Sequence, residues 1–170
     1  MHFQDRPLWQ HQLDTLRNLK PDRISVSAQV DPPWRPTDVD FVADIPPARG
    51  PLSGIAAALS QTASDHLLVL AIDMPFMNSE YLRRLCEAIG PGCGIVPLIR
   101  EWAEPLAAIY PRSLADDFTN ALSGNDFSLQ SLVRKLITAT KLLPITVSDR
   151  ETTFFGNCNE PGDVEAAQFS

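Results

Sequence analysis

Residues 67–76, LLVLAIDMPF, run six apolar residues together and then place an acid at Asp73 and a proline at Pro75. A strand that is apolar on both faces is typical of the centre of a parallel sheet that helices cover on each side. Because Pro75 lacks a backbone donor, it ends the strand, and the chain leaves the sheet just past the acid. Strand-like and helical segments alternate along the rest of the chain, which predicts an α/β fold with a mostly parallel sheet.

The spacing of apolar residues predicts the other elements around this central strand, which we expect over residues 66–72. Helices are predicted over residues 7–18, 52–61, 79–88, 112–122 and 128–138, and from about Pro161 onward. Further strands are predicted over residues 24–28, 41–43, 94–99, 105–110, 142–147 and 153–156. With 170 residues and no internal repeat, the chain is expected to form a single domain over residues 1–170.

The chain is acidic, with 14 Lys and Arg against 21 Asp and Glu and a formal net charge of −7. This balance argues against a nucleic-acid or membrane-surface partner, because both require a basic face. No segment approaches the run of about 18 apolar residues that a membrane span needs. The start, MHFQDRPLWQ, lacks the basic and apolar regions of a signal peptide. Three cysteines without a CxxC pair fit a reduced protein, so we expect a cytoplasmic location.

Two acids follow predicted strands directly. Asp73 ends the central strand, and Asp44 follows the short apolar run 41–43. In open α/β sheets, ligands bind outside the carboxyl ends of the strands. A carboxylate there can hold Mg²⁺, which usually takes one or two carboxylates together with phosphate oxygens. Position alone leaves a second interpretation of Asp73 open, in which it caps the turn before Asn78.

Three other segments point to the same edge of the sheet. The turn GPLSG, residues 50–54, puts two glycines at a helix start, where free N–H groups suit an anion and a ligand can approach the backbone. Glu104 precedes a predicted strand. Asn157 and Asn159 stand two residues apart, so in an extended segment both amides would face one polar ligand. Ordinary turn roles remain the alternative for all three segments.

An ordered set of motifs resembles the molybdenum cofactor guanylyltransferases, the MobA-like group of nucleotidyltransferases. The matching pieces are RPLWQHQLDTL (6–16), ISVSA (24–28), VAD (42–44), GPLSGI (50–55), LAIDMPFM (70–77), EPLAAIY (104–110) and FGNCNEPGD (155–163). The resemblance implies a Rossmann-like three-layer sandwich of the nucleotide-diphospho-sugar transferase type. It also implies Mg²⁺-dependent transfer of GMP from GTP to the terminal phosphate of molybdopterin, with release of pyrophosphate.

The resemblance carries roles onto particular positions of this chain. It implies that Asp73 is the catalytic, metal-binding aspartate and that Asp44 reads the guanine base, whose N1–H and exocyclic amine can both donate to one acid. On the nucleotide side it implies the set Gln29, Asp44, Gly50, Pro51, Leu52, Gly54 and Asp73, with Gln29 standing where the family often has Asn. On the pterin side it implies the set Glu104, Asn157 and Asn159.

The sequence departs from the family pattern at its start. The family opens with a strand and a glycine-rich loop of the form LAGGxSxRMGxDK, which this sequence does not contain. We therefore expect the first strand of the sheet to be missing, with open strand edges and a void, and little or no transferase activity. Arg6, Arg49 and Arg100 are the remaining candidates for phosphate contacts. Either the natural protein begins upstream of Met1, which the intact downstream motifs favour, or the chain is an inactive relative.

Two other classes of function stay open. A cytidylyltransferase of molybdopterin, or another nucleotidyltransferase, would share the fold. The two amides at Asn157 and Asn159 favour guanylyl transfer, because the related cytidylyltransferases tend to carry acidic residues in that segment. The other class is a non-catalytic pterin-binding adaptor that serves molybdoenzymes or their maturation proteins.

Overall fold

A computed structural model describes residues 2–157, which form nine strands and five α-helices. The strands are β1 (His2–Phe3), β2 (Arg6–Pro7), β3 (Ser25–Ala28), β4 (Asp40–Ala43), β5 (His66–Leu70), β6 (Gly94–Ile99), β7 (Trp102–Ala103), β8 (Ala107–Pro111) and β9 (Leu142–Thr146). The helices are α1 (Leu8–Arg17), α2 (Pro51–Gln61), α3 (Ser79–Glu87), α4 (Ala115–Leu122) and α5 (Leu129–Thr138). The predicted α/β class is confirmed. None of the described helices is long and apolar enough to span a membrane.

The main sheet is mixed: β5, β6 and β9 run in one direction, and β7 and β8 run in the opposite direction. Its strands hydrogen-bond in the order β5-β8-β6-β7, with β9 also paired to β6. Only the β6–β9 pair is parallel, whereas β8 runs antiparallel to both β5 and β6. The connection from β6 to β8 passes through the short β7, and a parallel return needs a crossover of about a dozen residues or more. The chain must therefore turn back, and β8 inserts in the opposite direction between its two neighbours.

Helices cover both faces of this sheet and create two cores. Successive residues of β8 point to opposite faces. Ala108 and Tyr110 pack with α2, α4 and α5, whereas Ala107 and Ile109 pack with α3. Both cores are tightly closed at this strand, where Tyr110 and Ile109 are fully buried. The result is a three-layer sandwich with the sheet in the middle, as the resemblance implies.

A gap separates this sheet from a second, smaller one. Within residues 2–157, β3 pairs only with β4, in parallel, and β5 pairs only with β8. The cavity between the two sheets has a volume of about 440 Å³, and its apolar lining includes Ile24, Phe41, Leu67 and Leu68. The expected void and open strand edges are therefore present, and they lie between β3 and β5.

The segment predicted as a strand over residues 153–156 is instead a 3-10 helix, Thr152–Phe155. The turn before it explains the difference. The carboxylate of Glu151 accepts hydrogen bonds from the backbone and hydroxyl of Ser148, at 3.0 and 2.6 Å, and from the guanidinium of Arg84 on α3. These bonds close a tight turn, and the helix that follows buries its last residue in the core beneath α3.

We expect Glu151→Gln to lower the free energy of unfolding at pH 7 by an amount that disappears on acidification. Hydrogen bonds from Ser148, followed by those from Arg84, lower the pKa of Glu151 from 4.5 to about 2. Folding therefore favours the carboxylate, so its stabilisation is complete above pH 4.5 and is lost as the pH falls through about 2. Urea denaturation of both proteins between pH 7 and pH 2 measures the difference. Glu101→Gln, at an exposed acid, is the control, and a pH-independent difference at Glu151 contradicts the account.

Candidate functional site

Asp44 lies just past the carboxyl end of β4, and β3 holds it in place. Parallel pairing sets Ala28 opposite Ala43, and the Asp44 N–H donates to the Ala28 carbonyl at 3.0 Å. The hydroxyl of Ser27 donates to Oδ1 of Asp44 at 2.7 Å. Backbone and side chain of this half-buried acid are therefore both fixed.

Helix α2 begins close to this carboxylate. Gly50 precedes the helix with a φ of 62°, a left-handed conformation that favours glycine, and Pro51 takes the first helical position. The N–H of Arg49 donates to Oγ of Ser53 at 2.7 Å, which holds the turn against the helix. The predicted GPLSG turn is thus a tight entry into a helix, whose first-turn N–H groups suit an anion.

Gly54 is the point of closest approach between α2 and the β3–β4 pair. A Cβ atom built at Gly54 would lie 2.6 Å from Oγ of Ser27 and 3.2 Å from Oδ1 of Asp44. A side chain at this position would therefore press on the hydroxyl and the carboxylate together. The absence of a side chain lets the first turn of α2 lie directly beside the acid.

Asp73 lies on the loop that follows β5, and this loop is anchored on both sides of it. The N–H of Ala71 donates to the carbonyl of Leu106 at 2.8 Å, and the buried amide of Gln12 donates to the carbonyl of Met74 at 2.5 Å. Met74 is buried, whereas Asp73 is half-buried. The loop is therefore held from the sheet and from α1, while the carboxylate of Asp73 stays accessible.

The donor set at this edge fits Mg²⁺ better than a metal that needs a protein cage. Residues 2–157 contain no group of three or more His, Cys, Asp or Glu that could hold a metal. Mg²⁺ does not need such a group, because it usually keeps several waters and binds one or two carboxylates together with substrate phosphates. An accessible carboxylate such as Asp73, at the carboxyl end of a sheet strand, meets that requirement.

A second cavity lies beside the turn that carries Glu104. It has a volume of about 470 Å³, and its lining includes Arg100, Trp102, Glu104 and Thr152. Burial raises the pKa of the Glu104 carboxyl. Trp102 is 60% exposed, so its indole presents a flat apolar surface at the edge of this cavity. An aromatic face, a guanidinium and an acid are thus available together to a planar polar ligand.

Asn157 approaches the loop of Asp73. It is exposed and follows Gly156, where a Cβ atom would lie 3.2 Å from Cδ2 of Phe76. Phe76 belongs to the same loop as Asp73, so the last described segment passes beside that loop. Asn159, the second amide of the predicted pair, lies outside the described residues.

The three arginines considered for phosphate contacts differ in their surroundings. Arg6 forms an ion pair with Asp14 at 2.6 Å. The guanidinium of Arg49 lies 4.2 Å from the centre of the Phe127 ring. Arg100 has a φ of 58° in the turn after β6 and lines the cavity of about 470 Å³. Arg6 and Arg49 are thus engaged within the protein, and Arg100 belongs to the side of Glu104.

Three of the sequence-predicted nucleotide residues lie just after strands. Gln29 directly follows β3, Asp44 directly follows β4, and Asp73 lies on the loop after β5. Helix α2 connects β4 to β5 and packs against β3, β4 and β5. Sequence reasoning missed Ser27 and Gln12, which hold the two acidic segments. The alternation of ISVSA could have indicated that Ser27 faces away from the apolar side of β3.

Comparisons with known proteins concern the family and the fold of this chain. Residues 1–140 match the family model of the MobA-like NTP transferase domain. A "Probable molybdenum cofactor guanylyltransferase" of Natronomonas pharaonis is 32% identical over 136 residues, covering 75% of this chain and 64% of the relative. The "Molybdenum cofactor guanylyltransferase" of Syntrophotalea carbinolica is 32% identical over 119 residues, covering 69% and 57%. The chain therefore spans less than two thirds of the length of these curated relatives.

A solved structure shows the same fold. The "Molybdopterin-guanine dinucleotide biosynthesis protein A" of Archaeoglobus fulgidus superposes with a TM-score of 0.78 at 24% identity. The match covers 99% of this chain and 87% of that one. At this identity the likeness concerns the fold alone. It includes the mixed sheet and both helical layers, since nearly the whole chain is matched.

Proposed function

Because the chain belongs to the MobA-like NTP transferase family, we propose that it binds GTP with Mg²⁺ and transfers GMP to molybdopterin, releasing pyrophosphate. The observation that carries the proposal is the arrangement of Asp44. This acid is fixed by Ser27 and lies against the first turn of α2, and Asp73 lies on the loop after β5, the strand to which α2 leads. A base-reading acid, an anion-binding helix start and a metal-binding acid are the groups that a nucleoside triphosphate requires.

The reaction needs positioning and charge stabilisation more than proton transfer. An oxygen of the terminal phosphate of molybdopterin attacks the α-phosphorus of GTP. As that P–O bond forms, the bond from the α-phosphorus to the oxygen bridging to the β-phosphorus breaks, and pyrophosphate leaves with that oxygen and the electron pair. The attacking phosphate monoester is largely a dianion at neutral pH, because its second pKa is about 6. No side chain is therefore required to remove a proton.

Each group at the edge has a separate task in this proposal. Asp44 accepts hydrogen bonds from N1–H and the exocyclic amine of guanine, and the first turn of α2 faces the phosphates. Asp73 would hold Mg²⁺, which supplies neutralisation of the charge on the phosphate oxygens. Glu104 and Asn157 border the pterin side.

We propose that turnover by this chain is slow. Within residues 2–157 no strand lies between β3 and β5, and the cavity between them is lined by the amino-terminal residues of these strands. Of the cationic candidates, Arg6 is paired with Asp14 and Arg49 packs on Phe127. The triphosphate therefore has few protein partners other than α2 and the acid that holds Mg²⁺.

The experiment incubates the chain with GTP, Mg²⁺ and molybdopterin, and follows pyrophosphate release and the mass of the product. We expect slow formation of a molybdopterin guanine dinucleotide that stops when EDTA is added. Robust turnover contradicts the proposal of a weakly active chain. The absence of both GTP binding and product at every enzyme concentration contradicts the proposed function as a whole.

A non-catalytic role as a pterin-binding adaptor is the second candidate, and one observation favours it. The cavity beside Glu104 is built on the continuous main sheet, whereas Asp44 follows a strand of the smaller sheet across the gap. Pterin binding that survives Asp73→Ala, together with a complete lack of product from the unaltered chain, supports the adaptor. If the unaltered chain forms product and the Asp73→Ala variant does not, the result supports the enzyme.

Asp44→Asn tests the choice of base. We expect GTP affinity to fall about tenfold to a hundredfold, because a hydrogen bond to a charged group is worth about 1.5–3 kcal/mol. CTP affinity should not fall, since the pyrimidine edge offers a different pattern of donors and acceptors. Competition of each nucleotide against a fluorescent GTP analogue measures both. Asp40→Asn, on the same strand, is the matched control, and equal losses for GTP and CTP exclude guanine reading by Asp44.

A further inference from the structure

The contact between β3, β4 and α2 contains three groups that depend on one another. The Ser27 hydroxyl donates to Oδ1 of Asp44 at 2.7 Å. Gly54 faces both of them, so that a Cβ atom there would lie 2.6 Å from the hydroxyl oxygen and 3.3 Å from Cβ of Ser27. The hydroxyl of this exposed residue therefore lies between the acid and the helix backbone, at the place where Gly54 has no side chain.

We propose that Ser27 is a positioning residue that sets the Asp44 carboxylate for guanine, and that Gly54 is a glycine because a side chain would displace the Ser27 hydroxyl. This inference rests on the proposed function. A carboxylate on a strand end can rotate about two side-chain bonds, and one hydrogen bond to Oδ1 selects a single orientation. Each carboxylate oxygen has two lone pairs, so Oδ1 can accept from Ser27 and still face the base.

The geometry predicts how each substitution acts. Ser27→Ala removes the donor and leaves the carboxylate free to rotate. Gly54→Ala places a methyl group 2.6 Å from the Ser27 hydroxyl, 3.2 Å from Oδ1 of Asp44 and 3.3 Å from Cβ of Ser27. The hydroxyl can turn away about one bond and then loses its bond to Asp44, while the two longer contacts need the backbone to give by only a few tenths of an ångström. Both substitutions therefore break the same hydrogen bond by different routes.

When two substitutions break the same hydrogen bond, their effects on binding free energy are not additive. We expect Ser27→Ala and Gly54→Ala each to weaken GTP binding about tenfold, with the maximum rate per bound GTP unchanged, because the bond orients the base and does not touch the phosphates. The double variant should bind GTP about as well as either single variant. Ser27→Thr keeps the hydroxyl, so its affinity for GTP should match that of the unaltered chain. This variant separates the effect of the hydrogen bond from the effect of packing.

The experiment titrates GTP and CTP into the unaltered chain, the two single variants, the double variant and Ser27→Thr. Ser25→Ala is the matched control, since it removes a hydroxyl from the same face of β3 two residues away. Equal tenfold losses that do not add, for GTP and not for CTP, support the proposal. Fully additive losses overturn it, because Gly54 then acts directly on the nucleotide. Unchanged GTP affinity in Ser27→Ala also overturns it while the proposed function stands.

Crystal structures of the unaltered chain and of Gly54→Ala decide the inference separately from the function. We expect Ser27 bonded to Asp44 in the first structure and rotated away in the second. A bond retained in Gly54→Ala overturns the role of Gly54 even if GTP binds. Failure of the unaltered chain to bind GTP overturns the proposed function, and with it the role of Ser27 toward guanine, whatever the two crystal structures show.

Discussion

Asp73→Asn is expected to abolish the dependence of GTP binding on Mg²⁺. In the unaltered chain, adding Mg²⁺ should tighten GTP binding by about a hundredfold, since a bound cation supplies several kcal/mol of charge stabilisation at phosphate oxygens. The substitution keeps the shape of the side chain but removes the charge that holds the ion. The affinities in Mg²⁺ and in EDTA should therefore become equal, and pyrophosphate release should fall below detection.

The same strand provides a matched control for this prediction. Asp65 precedes β5 at its amino end, far along the strand from the loop of Asp73, and it is exposed. Asp65→Asn should leave the effect of Mg²⁺ intact, because only the carboxyl end of the strand faces the ligand. A large Mg²⁺ effect that persists in Asp73→Asn would place the ion on other groups and remove the central role of this acid.

Gly94→Ala is expected to destabilise the fold more than any surface substitution. A Cβ atom at Gly94 would lie 2.3 Å from the carbonyl oxygen of Ile109, 2.6 Å from Cδ2 of Leu142 and 2.7 Å from Cδ of Pro111. The carbonyl belongs to the backbone of β8, so the contact cannot be relieved by rotating a side chain. We expect a loss of about 3 kcal/mol or more in the free energy of unfolding, against a typical total of about 5–15 kcal/mol.

Chemical denaturation measures this loss, and Gly90→Ala is its control. Gly90 precedes the same strand, and a Cβ atom there would have no neighbour within 4 Å. That substitution should change the free energy of unfolding by less than about 0.5 kcal/mol, which is usual at open surface positions. Equal and small effects at both glycines would contradict the close pairing of β6 with β8 and β9.

Local patterns predicted most elements because each depends on nearby residues. The apolar run that ends at Asp73 contains strand β5, whose residues are half-buried, and Asn78 caps α3 by accepting the N–H of Tyr81 at 2.8 Å. The order of strands is not a local property. The short turn between the strands over 94–99 and 105–110 implies an antiparallel pair, but only the tertiary structure shows that β8 lies between β6 and β5.

In the candidate site too, residues with a local sequence signal could be predicted, and residues that act through distant contacts could not. Asp44 and Asp73 were predicted because strand ends are where ligands bind in such sheets. Ser27 and Gln12 were not found, because their importance lies in contacts with residues distant in the chain, at 2.7 Å to Asp44 and 2.5 Å to the Met74 carbonyl. The role of Gly54 as a point of close approach likewise needs three segments in place at once.

The measurement that tests the central claim most directly is a calorimetric titration of the 170-residue chain with GTP and with CTP, each in Mg²⁺ and in EDTA. A guanine-nucleotide site formed by Asp44, the start of α2 and Asp73 predicts one GTP bound per chain, tighter in Mg²⁺ than in EDTA, with CTP clearly weaker. Equal affinities for GTP and CTP, or a GTP affinity that is the same in Mg²⁺ and in EDTA, would contradict that site.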